Sequence, residues 1–262
     1  MINNKIACIT IDFESDFGSR TNRLDTFNNS KKIKDLKNIF SQMDIPVSGF
    51  VQTNITKNKK VRDIIKLLTN DLHCHSHSHS IKKDEIIKSY KTFIKVFHQQ
   101  PLGYRAPFGQ MSKGCSDTIK NTGFKFSSSI FPSFRPGKYN NLLAPTQPFK
   151  YKNGIWEIPL AVIPKIRYTI SLSYIKLLGF QNFKKLVGIF GLPKIVVIDM
   201  HLHDLIAVKQ SQSQLPLYLQ MLYQRNQSAG IDYLQKLIEL LQRKNYKFIT
   251  IQDLYWRLIN QK

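Results

Sequence analysis

Four of the chain's seven histidines fall in one ten-residue stretch, Asp71-Leu-His-Cys-His-Ser-His-Ser-His-Ser80, at positions 73, 75, 77 and 79. Several imidazoles in so short a segment do not all find buried partners cheaply. Neutral imidazole is also the commonest metal-binding side chain. The stretch reads as a metal site, against the alternative of a solvated polar loop that takes up metal adventitiously. A catalytic zinc site needs three protein ligands and an open position, and two histidines with one carboxylate are a common set. Periodicity does not choose among the imidazoles. An extended segment would put all four on one face, whereas a helix would pair 75 with 79 and leave 73 and 77 on another. Carboxylates gather in Asp12-Phe-Glu-Ser-Asp16, and a second imidazole pair lies in Asp199-Met-His-Leu-His-Asp204.

The elements that must position these groups alternate. Residues 6–11 are β-branched and apolar and predict a buried strand. Strands follow at 47–51, 102–109 (short, leading into a loop), 124–129, 194–200 and 247–251; Ile-Val-Val-Ile within 194–200 is the clearest strand signal. Helical periodicity marks 30–44, 60–70, 82–98, 115–122, one or two short helices in 171–190, then 228–243 and 252–259. Such alternation favours an α/β parallel arrangement. The polar clusters at 12–16, 73–79, 104–109 and 201–204 each follow a predicted strand. In parallel α/β folds functional groups collect at the carboxyl ends of strands. Residues 131–169 are poor in helix signal and rich in Pro, Gly and Asn, and predict a long excursion with short strands at 155–158 and around 162. No internal repeat or linker divides the chain, so one domain over 1–262 is expected.

The formal net charge is +22, from 39 Lys and Arg against 17 Asp and Glu. That balance favours acidic partners: nucleic acid, anionic lipid or phosphate-bearing substrates. The charge is spread along the chain, and neither an RNA-binding signature nor zinc-finger spacing is present, which disfavours nucleic acid. Cys8, Cys74 and Cys115 are odd in number and far apart, as in a reducing compartment. Cys74 is either a soft ligand or packed behind the site. No apolar signal core and no run of 18 apolar residues is found. The expected location is cytoplasmic, with peripheral contact at the anionic inner face of the membrane.

Five segments carry a resemblance. His75-Ser76-x-x-His79 resembles the His-(Ser/Thr)-x-x-His metal motif of the polysaccharide deacetylases, the chitooligosaccharide deacetylase homology domain of the carbohydrate esterase superfamily. Thr10-Ile-Asp12-Phe-Glu14-Ser-Asp16 resembles the first motif of that family in a variant form. Tyr104-Arg105-Ala-Pro107-Phe108-Gly109 resembles the third, and Gly123-Phe-Lys-Phe-Ser-Ser-Ser-Ile130 the fourth. Met200-His201-Leu202 sits after a strand, where the family places its last histidine. The motifs run in family order within 6–205.

The resemblance implies a distorted (β/α) barrel, TIM-barrel-like, with about seven parallel strands, and makes 131–193 a substrate-shaping insertion. It implies a hydrolase of linear amides, with a metal-bound water attacking the N-acyl group, usually acetyl, of an amino sugar in a glycan, glycolipid or cell-envelope polysaccharide precursor. A phosphate- or lipid-linked sugar would suit the basic surface. His75 and His79 would hold the metal, zinc above others, with Glu14 as third ligand. Asp16 competes with Glu14 and the sequence leaves that choice open. Asp12 would be the general base, Arg105 would hold it by opposite charge, and His201 would be the general acid. His203 competes for the last role, and Asp204 could orient an imidazole. His73 and His77 would be supporting or exposed residues. Ser127 stands where the fourth motif often carries an acid, which alters support for the catalytic histidine. Two other readings remain: hydrolysis of a non-sugar amide of the allantoin or imide type, and a non-catalytic basic module on nucleic acid or anionic membrane.

Overall fold

The central strand of the computed structural model, β1 (Ile6–Phe13), is buried along its whole length. The structure describes residues 4–260; the ends of the expected 1–262 domain, and the first three residues of the segment read for a signal core, lie outside the described residues. The other main strands are β2 (Val47–Val51), β3 (Asp71–Cys74), β4 (Gly103–Tyr104), β5 (Phe126–Ser127), β6 (Phe149–Lys150), β7 (Trp156–Glu157), β8 (Ile195–His201) and β9 (Lys247–Phe248). They form one sheet in the order β8-β1-β2-β3-β4-β5-β7-β6, with β9 beside the start of β1. All pairs are parallel except β6 with β7. Seven consecutive parallel strands, from β8 to β7, match the expected barrel.

Strand alternation sorts β1 into two faces. Ala7, Ile9, Ile11 and Phe13 join the large cluster formed with the helices, while Ile6 and Cys8 join a second cluster with Phe50, Phe126 and Val197. That second cluster draws on β8, β1, β2 and β5, so the sheet curls around it. The helix α9 (Ile251–Ile259) adds Ile251, Leu254 and Tyr255 there and closes one end of the half-barrel. Along the inner face β1 runs Ile6, Cys8, Thr10, Asp12: apolar near α9 and acidic at the carboxyl end. β8 repeats the gradient with Ile195, Val197, Asp199 and His201. The gap between β7 and β8 is spanned by Ala161, whose N–H donates to Val197 O at 2.9 Å.

Helices α1 (Ser30–Gln42), α2 (Lys59–Leu68), α3 (Lys83–Phe97), α4 (Cys115–Thr122), α5 (Leu172–Leu178), α6 (Phe180–Phe190), α7 (Leu217–Gln224) and α8 (Gly230–Arg243) accompany the sheet. Most bury one stripe; α1 turns Ile33, Leu36, Ile39 and Phe40 inward. The caps fix the boundaries. Asn58 Oδ1 accepts from Lys60 N at 2.9 Å to open α2, and Thr250 Oγ1 accepts from Asp253 N at 3.0 Å to open α9. The Thr250 cap corrects the expected strand 247–251, which stops at Phe248. α7 was not expected: it is apolar without amphipathic period and buries no residue. The region 131–193 is more ordered than an excursion, since it contributes β7 to the main sheet and two further antiparallel pairs.

Candidate active site

The parallel ladder brings the carboxyl ends of β1, β3, β4 and β8 to one rim. Asp12 lies opposite His201 in the β1–β8 register. His75 follows β3 directly, and its N–H donates to Val51 O at 2.8 Å. The chain then leaves the extended conformation: Ser76 and His79 have φ of 61° and 60°, uncommon values for residues with a side chain. Glu85, in the first turn of α3, fixes this turn. Its Oε2 accepts from Ser78 N at 2.6 Å, from Ser78 Oγ at 2.7 Å and from Ser76 Oγ at 3.4 Å. The His79 ring thereby returns to within 5.1 Å of the His75 ring. Replacing Glu85 with Ala should weaken binding of added zinc about 10–100-fold, the scale for a residue that orients candidate metal ligands. Competition with a chelator measures it, and an unchanged affinity would contradict the anchoring role.

Glu14 stands just beyond β1 and meets both imidazoles. Its Oε2 is 2.7 Å from His79 Nε2 and 3.3 Å from His75 Nε2, and its Oε1 is 3.4 Å from His201 Nε2. The ligand atoms of Glu14, His75 and His79 lie within 4.8 Å of one another. Both Glu14 oxygens and His75 Nε2 are buried with no well-formed hydrogen bond. Such atoms are costly to leave unpaired, and their grouping with His79 fits a divalent cation. His75 Nδ1 donates to Arg105 O at 3.1 Å, which leaves the Nε2 lone pair free for a metal. Burial alone would raise the Glu14 carboxyl, but the imidazoles of His79, His201 and His75 outweigh it and hold it well below the usual carboxylate range. Asp16, the alternative third ligand, is elsewhere. It accepts from Asp25 N at 2.8 Å and Thr26 Oγ1 at 2.7 Å and ties the following loop.

Arg105 is buried and crosses the half-barrel. Its Nη1 donates to Asp12 Oδ1 at 2.6 Å, Thr10 Oγ1 at 2.9 Å and Asp199 Oδ1 at 3.2 Å. On a flat sheet β4 and β1 would stand about 14 Å apart, so this contact needs the curl. The guanidinium lies 3.9 Å from the Phe50 ring centroid, and Nε donates to Ser128 O at 2.9 Å. The loop carrying Ser128 is held in turn by Glu157, whose Oε1 accepts from Ser129 N and Ile130 N at 2.7 and 2.8 Å. Asp12 Oδ2 accepts no hydrogen bond among the described residues and lines the cavity.

His201 is part-exposed at the cavity wall. Its Nδ1 pairs with Asp204 Oδ2 at 3.2 Å, and its backbone N–H donates to the same oxygen at 3.0 Å. Burial disfavours its charge, but Glu14, Asp199 and Asp204 overcome that and hold its pKa well above the ordinary imidazole value. His203 stacks on His201 with centroids 4.8 Å apart. It differs in state: its Nδ1 accepts from Phe17 N at 3.2 Å, and burial pushes it down to about 3. The helical turn bearing Asp204 touches the start of α8 closely. A Cβ on Gly230 would lie 2.0 Å from Asp204 O. Gly230→Ala should destabilise the fold by about 1–3 kcal/mol through backbone displacement; a denaturant midpoint equal to that of the parent would show that the contact relaxes freely.

The structure brings together Asp12, Glu14, His75, His79, Arg105 and His201, and leaves Asp16, His73 and His77 outside. His73, expected as a supporting or exposed residue, is a packed one. It is fully buried between Phe50 and Phe126, accepts from Gly103 N at 3.2 Å and pairs with Asp71. His77 meets Thr53 Oγ1 at 2.9 Å. Cys74 packs behind the site, and burial raises its thiol pKa well above the ordinary value. Asp199 was missed. Burial and the charge on Asp12 push its carboxyl up to about 7, against the pull of His201 and Arg105. Its signal was the i, i+2 spacing from His201 in a strand, which places both on the inner face. With Asp204, it supplies acid near His201 where Ser127 does not.

No family model matches the sequence, and no curated protein matches it. Solved structures match the fold. One from Pseudomonas aeruginosa PAO1, described as a probable polysaccharide deacetylase, gives a TM-score of 0.62 at 11% identity, covering 98% of this chain and 92% of that one. The Bc1960 peptidoglycan N-acetylglucosamine deacetylase, in complex with an N-oxidanyl-benzamide, gives 0.54 at 15% identity, over 96% and 88%. BA3943 of Bacillus anthracis, described as a CE4 family pseudoenzyme, gives 0.56 at 12% identity, over 97% and 66%. The fold is that of the polysaccharide deacetylases. Because one such neighbour is a pseudoenzyme, the fold does not decide activity, and the side chains in the cavity must.

Proposed function

We propose that the protein is a metal-dependent hydrolase that removes an N-acyl group, acetyl first among them, from an amino sugar of a glycan, glycolipid or envelope polysaccharide precursor. The observation that carries this reading is the convergence of orphaned atoms of Glu14 and His75, with His79, beside an Asp12 held by Arg105. Glu14, His75 and His79 would hold the metal, and zinc suits the set. When bound, the metal polarises the amide carbonyl and makes a water acidic enough to react near neutral pH.

Asp12 takes the proton from the attacking water through Oδ2, while Arg105 keeps Oδ1 engaged and the carboxylate aimed at the cavity. His201, part-exposed at the cavity wall, gives a proton to the departing amine. Asp204 fixes its ring through Nδ1. Arg135, Tyr139, Ser173 and Tyr174 from the 131–193 region also line the cavity, so that segment shapes substrate choice. A cytoplasmic location, with the basic surface against anionic membrane, belongs to the same proposal. It is supported by three buried free cysteines; no helix among the described residues is long and apolar enough to cross a membrane.

Metal content measured together with acetate release from a panel of N-acetylated amino sugars tests the reading. One metal per chain with acetate released is the expected result. Metal-loaded protein that cleaves ureides or cyclic imides instead would move the activity to non-sugar amides. Metal-free protein with salt-sensitive nucleic-acid binding would replace catalysis altogether.

A further inference from the structure

The cavity beside the candidate ligands has a volume of about 110 Å³, below the roughly 300 Å³ of pockets that enclose a whole small ligand. Most of any amino-sugar substrate must then lie against the rim, and the rim is basic. Arg20 and Lys138 sit over the Phe108 ring, at 5.7 and 4.3 Å from its centroid. Phe108 itself packs edge-on against His79 at 4.5 Å. Arg135 shares the cavity wall with Arg20. Part-burial, then the charges of Arg20 and Arg135, push the Lys138 ammonium pKa down. None of these three cations has a carboxylate partner among the described residues, whereas Arg23, Arg105 and Arg243 do. Unpaired, part-buried like charges repel, and an oxyanion between them would offset the repulsion. The oxygens of a phosphate point in several directions, so cations on different sides can each contact it, whereas a planar carboxylate is satisfied by one arginine fork.

A second feature adjoins them. Arg135, Tyr174 and Tyr223 also line a groove of about 250 Å³ between α5 and α7; Leu177, Leu219 and Leu222 form its apolar wall, and Lys176, Asp204 and Arg225 line the rest. On α7, Leu217 is 73% exposed and Tyr218 and Met221 are each 65% exposed. An apolar surface of this kind beside a functional cavity marks a contact with something apolar.

We propose that the site takes an amino sugar joined through a phosphate to an apolar chain. The N-acyl group enters the cavity, the phosphate lies among Arg20, Arg135 and Lys138, and the first carbons of the chain follow the α5–α7 groove. The charged rim and the groove share Arg135, so one continuous ligand reaches both. The inference rests on the deacylase reading above and names its substrate class.

Four probes test it with metal-loaded protein: N-acetylglucosamine 1-phosphate as its decyl diester, the free monophosphate, decyl N-acetylglucosaminide, and N,N′-diacetylchitobiose. Acetate release should give the highest kcat/KM for the decyl phosphodiester, with loss of either the phosphate or the chain costing about tenfold, the scale of one charge-assisted contact. Arg135→Gln with Lys138→Gln should erase most of the phosphate preference, and Leu219→Ser with Leu222→Ser the chain preference. Calorimetry on the metal-loaded Asp12→Asn variant reads the same order without turnover. Acetate released from chitobiose as readily as from the phosphorylated probes, or a phosphate preference surviving the double charge variant, would overturn the subsite and leave the deacylase standing. Acetate from none of the four would overturn the deacylase; binding without the predicted order would overturn the subsite as well.

Discussion

Asp12→Asn is expected to lower kcat by about 10²–10⁴-fold, the range over which a positioned general base acts, while one metal per chain is retained. The separation follows from geometry. Asp12 is not among the three groups that converge on the candidate metal position; Glu14, His75 and His79 are. Asparagine keeps the size of the side chain and an oxygen for Arg105 Nη1, which now stands 2.6 Å from Oδ1. What it removes is the second oxygen's capacity to take a proton. The variant does leave Arg105 with less compensating charge, but Asp199 lies on the same Nη1 at 3.2 Å and limits the loss. Steady-state acetate release, metal analysis and a denaturation midpoint on one preparation make the test. Loss of metal together with loss of rate would place Asp12 in the metal set. A kcat within threefold of the parent would remove it from proton transfer.

Much of this rim was legible in the sequence because strands have period two and parallel strands end together. The clusters 12–16, 104–109 and 201–204 could be placed at strand ends on that ground, and the family resemblance picked Asp12, Arg105 and His201 out of them. The order of strands, with β8 beside β1, and the curl that lets Arg105 reach Asp12 were not legible, since both depend on pairings far apart in the chain. The histidine stretch was half legible. Strand alternation does put Asp71, His73 and His75 on the inner face, at successive heights: Asp71 Oδ2 accepts from Gln252 N of α9, His73 lies in the apolar middle, and His75 faces the cavity. No pattern in the stretch announces that the strand stops at Cys74 and that a turn with two positive φ values follows. The clamp that permits the turn, Glu85, sits nine residues past Ser76 on another element. Asp16 shows the converse. Its spacing suited a ligand as well as Glu14 did, but the chain leaves the strand after Phe13, and Asp16 is drawn into hydrogen bonds with Asp25 and Thr26 instead.

The four single alanine variants of that stretch should therefore divide three ways. His75→Ala and His79→Ala each remove a ligand atom and should bring bound zinc well below one per chain after dialysis, since three ligands is the usual minimum for a catalytic site. His77→Ala should bind metal as the parent does and be nearly as stable, because the ring is only half-buried and loses one contact to the Thr53 hydroxyl. His73→Ala should bind metal when folded but lose about 2–4 kcal/mol of stability, the scale of truncating a large buried side chain. It empties the space between Phe50 and Phe126, removes one partner of Asp71 and takes the acceptor from Gly103 N. Zinc stoichiometry and urea denaturation on the four proteins separate these outcomes. Equal zinc loss in all four would return the stretch to a generic metal-binding tract. A His73 variant as stable as the parent would mean that the inner layer tolerates a cavity beneath the site. The division matters because it ties the metal to a pair of histidines that only the turn brings together: 75 at the end of a strand and 79 four residues on, held to it by a glutamate from the next helix.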